Sequence, residues 1–157
     1  MVGALTALGP SSTGETWFPV LAEGPTALDR VINHRPGYAA AFREVETAIW
    51  DQNAIDPEIL QLCRARITQL LGADDEVDPS LLDLLAHWPT STRLHVQQRV
   101  CLGYAEQLLL DAQGVTDEQA AEVIAAVGQG GFLVLTYACG FFETTQRARL
   151  LLAKSER

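Results

Sequence analysis

Helix-starting residues recur along this chain, each placed immediately before a run of apolar residues with helical spacing. Residues 56–58, Asp-Pro-Glu, supply a capping side chain, a proline suited to the first helical position and a carboxylate near the positive helix end. Residues 78–79 repeat the Asp-Pro pair. Two further starts have the capping-box pattern of polar side chains three residues apart: Thr26 with Asp29, and Thr116 with Gln119. The chain is therefore predicted to fold as a series of helices.

Apolar residues between these starts repeat every three or four positions, which places them on one face of a helix. Ile59, Leu62, Cys63 and Ile67 share one such face, and the alternation typical of strands is absent. We therefore predict an all-α fold. The predicted helices span residues 26–34, 37–51, 57–72, 79–87, 91–112, 117–127 and 130–153, with Gly72 and Gly114 as C-terminal caps and residues 128–131 as an interhelical turn.

The length of 157 residues fits one domain with a single core, which we place at residues 26–157. Residues 1–25 are rich in Gly, Pro, Ser and Thr without a sustained period, so they are predicted to form an extended arm. Trp17, Phe18 and Val20 would attach this arm to the body.

The net charge of −9 repels phosphate backbones and anionic lipid surfaces, so neither nucleic acid nor a membrane is an expected partner. No Lys or Arg precedes Arg30, so the positive start of a secretory signal is missing and a cytoplasmic protein is expected. The longest apolar run, residues 131–142, is about half of the roughly 20 residues that span a membrane. Because this run is apolar on nearly every face, it must be covered, either as a central helix or at a subunit interface.

Three cysteines, Cys63, Cys101 and Cys139, are widely spaced and odd in number, which fits neither a disulfide framework nor a zinc site. Core packing is the favoured interpretation, with a reactive thiol as the alternative. The acidic residues Asp74, Asp75, Glu76 and Asp78 lack the Gly and Glu of a calcium loop, so they are predicted to form a solvated turn, with a weak divalent-cation site as the alternative. No metal and no cofactor is predicted.

Two stretches of the sequence resemble one known family. Residues 56–80, DPEILQLCRARITQLLGADDEVDPS, resemble a helix that begins with Asp-Pro and leads into a Cys-x-x-Cys-x-x-x-His motif. Residues 88–111 resemble a tryptophan followed by a helix with an Ala-Glu-x-Leu pattern. The matching residues are Arg66, Gln69, Leu70 and Gly72 in the first stretch, Ala105, Glu106 and Leu108 in the second, and Arg147 after the last aromatic-rich helix.

These motifs are similar to those of the carboxymuconolactone decarboxylase and alkylhydroperoxidase D-like family, and the resemblance extends from residue 56 to the C-terminus. It implies an alkylhydroperoxidase D-like helical bundle and assembly into a homo-oligomer. In family members that act as thiol peroxidases, one thiolate attacks the peroxide, a second thiol closes a disulfide, and a Glu and a His manage the proton. The corresponding positions here hold Gln61, Ala73, Glu76 and Ser80. The resemblance therefore implies a degenerate active site without dithiol peroxidase activity.

Glu106, His87 and Cys63 remain candidate catalytic residues of a repurposed pocket. Glu106 lies on a mostly apolar helix, where an ion pair with Arg66 or Arg99 is favoured over a role as a pocket acid. His87 follows a predicted helix end, where capping is the favoured role.

Two classes of function follow. The protein is either a family enzyme acting on a small molecule, or a non-catalytic helical homo-oligomer or interaction module. A cavity that holds Glu106, His87 or Cys63 with converging polar groups would distinguish the enzyme from the module.

Overall fold

The computed structural model describes residues 22–73 and 76–155, and the predicted all-α fold is confirmed for them. These residues form six α-helices and no strand. The helices are α1 Ala27–Asn33, α2 Pro36–Trp50, α3 Pro57–Leu70, α4 Pro79–Ala86, α5 Val96–Leu110 and α6 Asp117–Ser155, with short 3-10 helices at Trp88–Thr90 and Ala112–Gly114. The predicted arm, including Trp17, Phe18 and Val20, lies outside the described residues except for residues 22–25.

The four helix starts predicted from capping residues are confirmed by their hydrogen bonds. The carboxylate of Asp56 accepts from the backbone N–H of Glu58 at 2.8 Å, and Asp78 does the same for Ser80 at 2.8 Å. Both capping boxes are present, Thr26 with Asp29 at the start of α1 and Thr116 with Gln119 before α6. These bonds satisfy backbone N–H groups that the first turn of a helix leaves without partners.

Two glycines mark the places where the chain leaves helical geometry. Gly72 has a φ of +78°, directly after the cap of α3, as predicted. Gly128 has a φ of +77° and interrupts α6. The predicted turn of residues 128–131 is therefore shorter than expected, because this one residue with a left-handed φ is enough to separate the two halves of α6.

Two predicted boundaries around α5 are wrong. The helix begins at Val96 rather than at residue 91, because Gln98 caps the backbone N–H of His95 with its side chain at 2.9 Å. The helix ends at Leu110, and Gly114 closes the following 3-10 helix without a positive φ. Gly114 is therefore not a left-handed C-terminal cap.

The described residues divide into two compact units, one of residues 22–43 with 148–155 and one within residues 44–147. In the first, the Asn33 side chain donates to the Glu23 carbonyl at 2.9 Å and accepts from Arg43. The second holds a hydrophobic core in which α3 packs against α5. Its largest fully buried side chains are Leu60, Ile67, Leu85, Leu102, Leu135, Val123, Cys63 and Cys101.

Candidate functional site

Glu106 lies at the centre of a hydrogen-bonded network between α3 and α5. Its Oε2 atom accepts from Nε of Arg66 at 3.1 Å and from Nε1 of Trp88 at 2.9 Å. The two charged side chains are only 13% and 25% exposed, for Arg66 and Glu106 respectively. The predicted ion pair is confirmed, and its partner is Arg66.

The same network reaches α4 through Arg66. Its NH1 group donates to Oε1 of Gln69 at 2.6 Å, and Nε2 of Gln69 donates to the carbonyl of Leu82 at 3.3 Å. Three residues that carry the family resemblance, Arg66, Gln69 and Glu106, are thus bonded in one chain of contacts. Because the carboxylate and the guanidinium each have partners, the arrangement fixes three helices to one another.

Arg99, the alternative partner of Glu106, has a different role. Its NH1 group donates to the carbonyls of Ser91 at 3.0 Å and Leu94 at 2.6 Å. These bonds hold the turn before α5, whose Leu94 side chain is buried in the core.

His87 lies at the C-terminal end of α4, where its side chain is 73% exposed. Its Nδ1 atom is 3.2 Å from the carbonyl of Asp83 and 3.5 Å from the Asp83 carboxylate. The predicted capping role is confirmed. The structure leaves His87 at the surface while Cys63 has no exposed area, so these two candidates do not converge on one cavity.

The three cysteines are free and buried, as the favoured interpretation predicted. Burial raises the pKa of the Cys63 thiol well above its usual value, and the nearby thiols of Cys139 and Cys101 raise it further. Burial also raises the pKa of Cys101 to about 11 and that of Cys139 to about 12. Sequence reasoning did not find that helices α3, α5 and α6 bring the three thiols near one another. All three are protonated at neutral pH and are poor nucleophiles.

The four positions that match the family's redox motif do not form a site. Gln61 is exposed on α3, Ala73 is buried after that helix, and Glu76 is exposed in the following turn. Ser80 lies in the first turn of α4, where its N–H donates to Asp78. Bonds from the side chain and backbone of Ser80 lower the pKa of the Asp78 carboxyl.

No group of three His, Cys, Asp or Glu side chains among the described residues is arranged to hold a metal ion. Asp74 and Asp75 of the predicted acidic turn lie outside the described residues. The weak divalent-cation site therefore stays an untested alternative.

The structure contains a cleft of about 300 Å³ that sequence reasoning missed. It lies between the 3-10 helix Trp88–Thr90, α5 and the start of α6. Its lining residues are Trp88, Pro89, Arg99, Val100, Gly103, Tyr104, Gln119 and Glu122. The one sequence feature that indicated the cleft is Gly103, a glycine inside an otherwise regular helix. A Cβ atom at this position would stand 3.3 Å from the Trp88 ring, so the glycine allows the indole to lie against α5.

The second half of α6 has two opposite faces. Leu135, Ala138, Cys139 and Phe142 are buried in the core. The opposite face, which we call the α6 face, is exposed and consists of Gly130, Leu133, Tyr137, Gly140, Thr144 and Arg147. Leu133 and Tyr137 are 56% and 72% exposed, so the described residues cover the helix on one side only. Of the two predicted alternatives, a central helix and a subunit interface, the described residues do not form the first.

By length and composition alone, Asp117–Ala153 is also long and apolar enough to cross a membrane. Its most apolar 18 residues have a mean hydropathy of 1.6, and 28% of that stretch is buried. The sequence interpretation, which considered only the unbroken run of residues 131–142, missed this property.

No protein-family model and no curated protein sequence matches the chain.

Proposed function

We propose that this protein is a non-catalytic helical module that forms a homodimer through the α6 face. The observation that carries the proposal is the exposure of Leu133 and Tyr137 on a face without charge from residue 130 to residue 144. Removing a large apolar side chain from water contributes about 1.5–3 kcal/mol, so each exposed side chain favours contact with another apolar surface.

A second copy of the chain is the occupant that the spacing favours. The exposed residues follow one another at alternating intervals of three and four, the interval with which one helix packs along another. The chain carries a net charge of −9, so two copies repel each other over most of their surfaces. The stretch of the α6 face from residue 130 to residue 144 is free of that repulsion.

The side-chain sizes along this face favour an antiparallel pair. A two-fold axis midway between Tyr137 and Gly140 places each tyrosine opposite the glycine of the other copy. The same axis places Leu133 opposite Thr144, and Gly130 opposite Arg147. A large side chain then faces a smaller one at every level. A Cβ atom added to Gly140 would meet nothing within 4 Å, so the space over this glycine, where we place the tyrosine ring of the other copy, is open.

The size of the face sets the expected strength of the dimer. From residue 130 to residue 147 the helix rises about 25 Å, at ~1.5 Å per residue. A contact along one face of a helix of this length buries less surface than the roughly 800 Å² per partner of a standard stable interface. The dimer should therefore exchange with the monomer at micromolar concentrations.

A lipid bilayer is the less favoured occupant of the α6 face. Leu135, Ala138 and Phe142 belong to the protein core, so the helix would have to leave that core to become surrounded by lipid. Thr136 is bonded to Tyr104 of α5 at 2.9 Å, which ties the same helix to the folded body.

Descent from the carboxymuconolactone decarboxylase and alkylhydroperoxidase D-like family is part of the proposal. It is supported by the bonding of Arg66, Gln69 and Glu106, three residues that carry the resemblance. The loss of redox chemistry is supported by Ala73 and Glu76 at the positions of the two cysteines. Without those thiols, the chain keeps the family's helices while its exposed apolar face supplies the function.

The test is light scattering during size exclusion, over a series from about 1 to about 500 µM, since association depends on concentration. The mass should rise toward twice 17.1 kDa. Tyr137→Glu should stay at 17.1 kDa, and the control Val96→Glu, which changes a residue 69% exposed on α5, should behave like the unmodified protein.

Three results would overturn the proposal. The first is a 17.1 kDa mass for the unmodified protein at the highest concentration. The second is an equal dimer content for Tyr137→Glu and Val96→Glu. The third is flotation of the unmodified protein, but not of Tyr137→Glu, with vesicles of neutral lipid.

A further inference from the structure

We infer that the cleft beside Trp88 binds a small zwitterion of the α-amino acid class that carries an apolar side chain. The cleft lies wholly within residues 88–122 and contains none of the α6-face residues. The inference therefore does not depend on the proposed dimer. A volume of about 300 Å³ is at the lower end of the range for ligand sites, which limits the ligand to a small molecule.

The two aromatic residues of the cleft present their rings and not their polar atoms. The indole N–H of Trp88 is used by Glu106 at 2.9 Å. Thr136 donates its own proton to the carbonyl of Phe132 at 2.8 Å, so the Tyr104 hydroxyl is the donor in its 2.9 Å bond to Thr136. Together with Val100, these rings form an apolar wall for the body of a ligand.

Two oppositely charged side chains, Arg99 and Glu122, line the cleft without forming an ion pair with each other. Arg99 is partly buried and Glu122 is exposed, and the two make no ion pair within 4.0 Å. The guanidinium of Arg99 is held through NH1 by the carbonyls of Ser91 and Leu94. Its Nε and NH2 groups have no bonding partner among the described residues. A guanidinium fixed in this way is suited to a carboxylate, which it binds through two parallel N–H groups.

The Glu122 carboxylate favours a zwitterion over a ligand that carries only a carboxylate. A simple anion that reached Arg99 would be repelled by Glu122 in the same cleft. A ligand with an ammonium group beside its carboxylate pairs with both side chains. The Gln119 amide adds an Nε2 donor, since its Oε1 atom is used by the N–H of Thr116 at 3.0 Å. These groups match the head of an α-amino acid, and the ring wall matches its side chain.

The test compares three probes of similar shape: L-phenylalanine, 3-phenylpropionate without the amine, and phenethylamine without the carboxylate. Binding is followed by the NMR shift of the Trp88 indole N–H, with the indole of Trp50, which does not line the cleft, as the internal reference. For so small a ligand in an open cleft, the dissociation constant of phenylalanine should be on the order of 1 mM. Phenethylamine should bind at least about tenfold more weakly, because it lacks the group that pairs with the partly buried Arg99.

A variant separates recognition of the ammonium group from general loss of the fold. Glu122→Gln removes an exposed charge, so it should weaken phenylalanine binding by about threefold and leave the propionate unaffected or bound more tightly. Glu118→Gln, one turn earlier and outside the cleft, is the matched control and should change neither affinity.

Three results would overturn the inference: no shift of the Trp88 signal with phenylalanine up to its solubility, equal binding of phenylalanine and either partial probe, or equal effects of Glu122→Gln and Glu118→Gln. A protein that forms the α6 dimer and ignores phenylalanine would refute the inference alone. A monomer that binds phenylalanine would refute the proposed function alone.

Discussion

Arg66 of α3 and Glu106 of α5 form an ion pair across the core, with 3.1 Å between Nε and Oε2. The same carboxylate oxygen accepts the indole N–H of Trp88, which also forms a wall of the cleft. The ion pair therefore fixes the position of a ring in the proposed ligand site, although neither charged residue lines that site.

Replacement of Glu106 with alanine should destabilise the fold, because it leaves the guanidinium of Arg66 and the indole N–H of Trp88 with one partner fewer in a mostly buried place. We expect the free energy of unfolding to fall by about 2–3 kcal/mol, measured by urea denaturation. Glu143→Ala is the matched control. It removes a surface ion pair with Arg147, at 2.8 Å with side chains 31% and 53% exposed, and should cost no more than about 0.5 kcal/mol. Equal losses for the two variants would contradict the structural role assigned to Glu106.

The buried thiols predict a loss of stability at alkaline pH. The pKa of Cys139 rises from a usual value of 9.0 to about 12, so the folded protein keeps a proton that the unfolded chain releases. The stabilising effect is complete below about pH 9 and is lost as the pH rises from there toward about 12. The slope for one such thiol is at most about 1.4 kcal/mol per pH unit. Urea denaturation at several pH values should therefore give a shallower decline for Cys139→Ala than for the unmodified protein. Parallel declines would show that this thiol ionises equally in both states.

We expect no catalytic turnover of peroxide with dithiol reductants. Cys63 is the cysteine closest in sequence to the lost motif, and it has no exposed surface. Burial raises the pKa of its thiol well above the usual value, so the thiolate that would attack a peroxide does not form at neutral pH. A steady-state assay of peroxide loss should give the same background for the unmodified protein and Cys63→Ser. Repeated turnovers that disappear in the variant would place redox chemistry on Cys63 and contradict the prediction.

Alanine at Gly140 should act in opposite directions on the fold and on the dimer. In the helix, an added methyl group meets nothing within 4 Å and should raise the stability of the monomer by about 1 kcal/mol. In the antiparallel pair the same methyl stands where the Tyr137 ring of the other copy is placed, so the dimer content in light scattering should fall. Gly128→Ala is the contrast. Its φ of +77° makes a side chain unfavourable, so it should lower stability by about 1 kcal/mol and leave the mass unchanged. A rise in dimer content for Gly140→Ala would contradict the proposed register.

The sequence by itself determined the helices, because their starting signals are local. Asp56 and Asp78 cap the N–H groups two residues later, and Gly72 takes the left-handed conformation that ends α3. The sequence also identified Glu106 as a residue in need of a cation, since a carboxylate on an apolar helix is costly without one. It failed at residues 91–95, where bonds from Arg99 to two carbonyls replace a first helical turn.

Only the tertiary structure decided which residues meet. The choice of Arg66 over Arg99 as the partner of Glu106 depends on how α3 packs against α5, a relationship between residues 40 positions apart. The convergence of three cysteines, the cleft beside Trp88 and the exposure of Tyr137 depend in the same way on helix packing. Periodicity shows that a residue belongs to a face of its helix, but which face is covered depends on contacts between helices far apart in sequence. The sequence therefore predicted that residues 131–142 form a helix, but it could not predict which side of that helix is exposed.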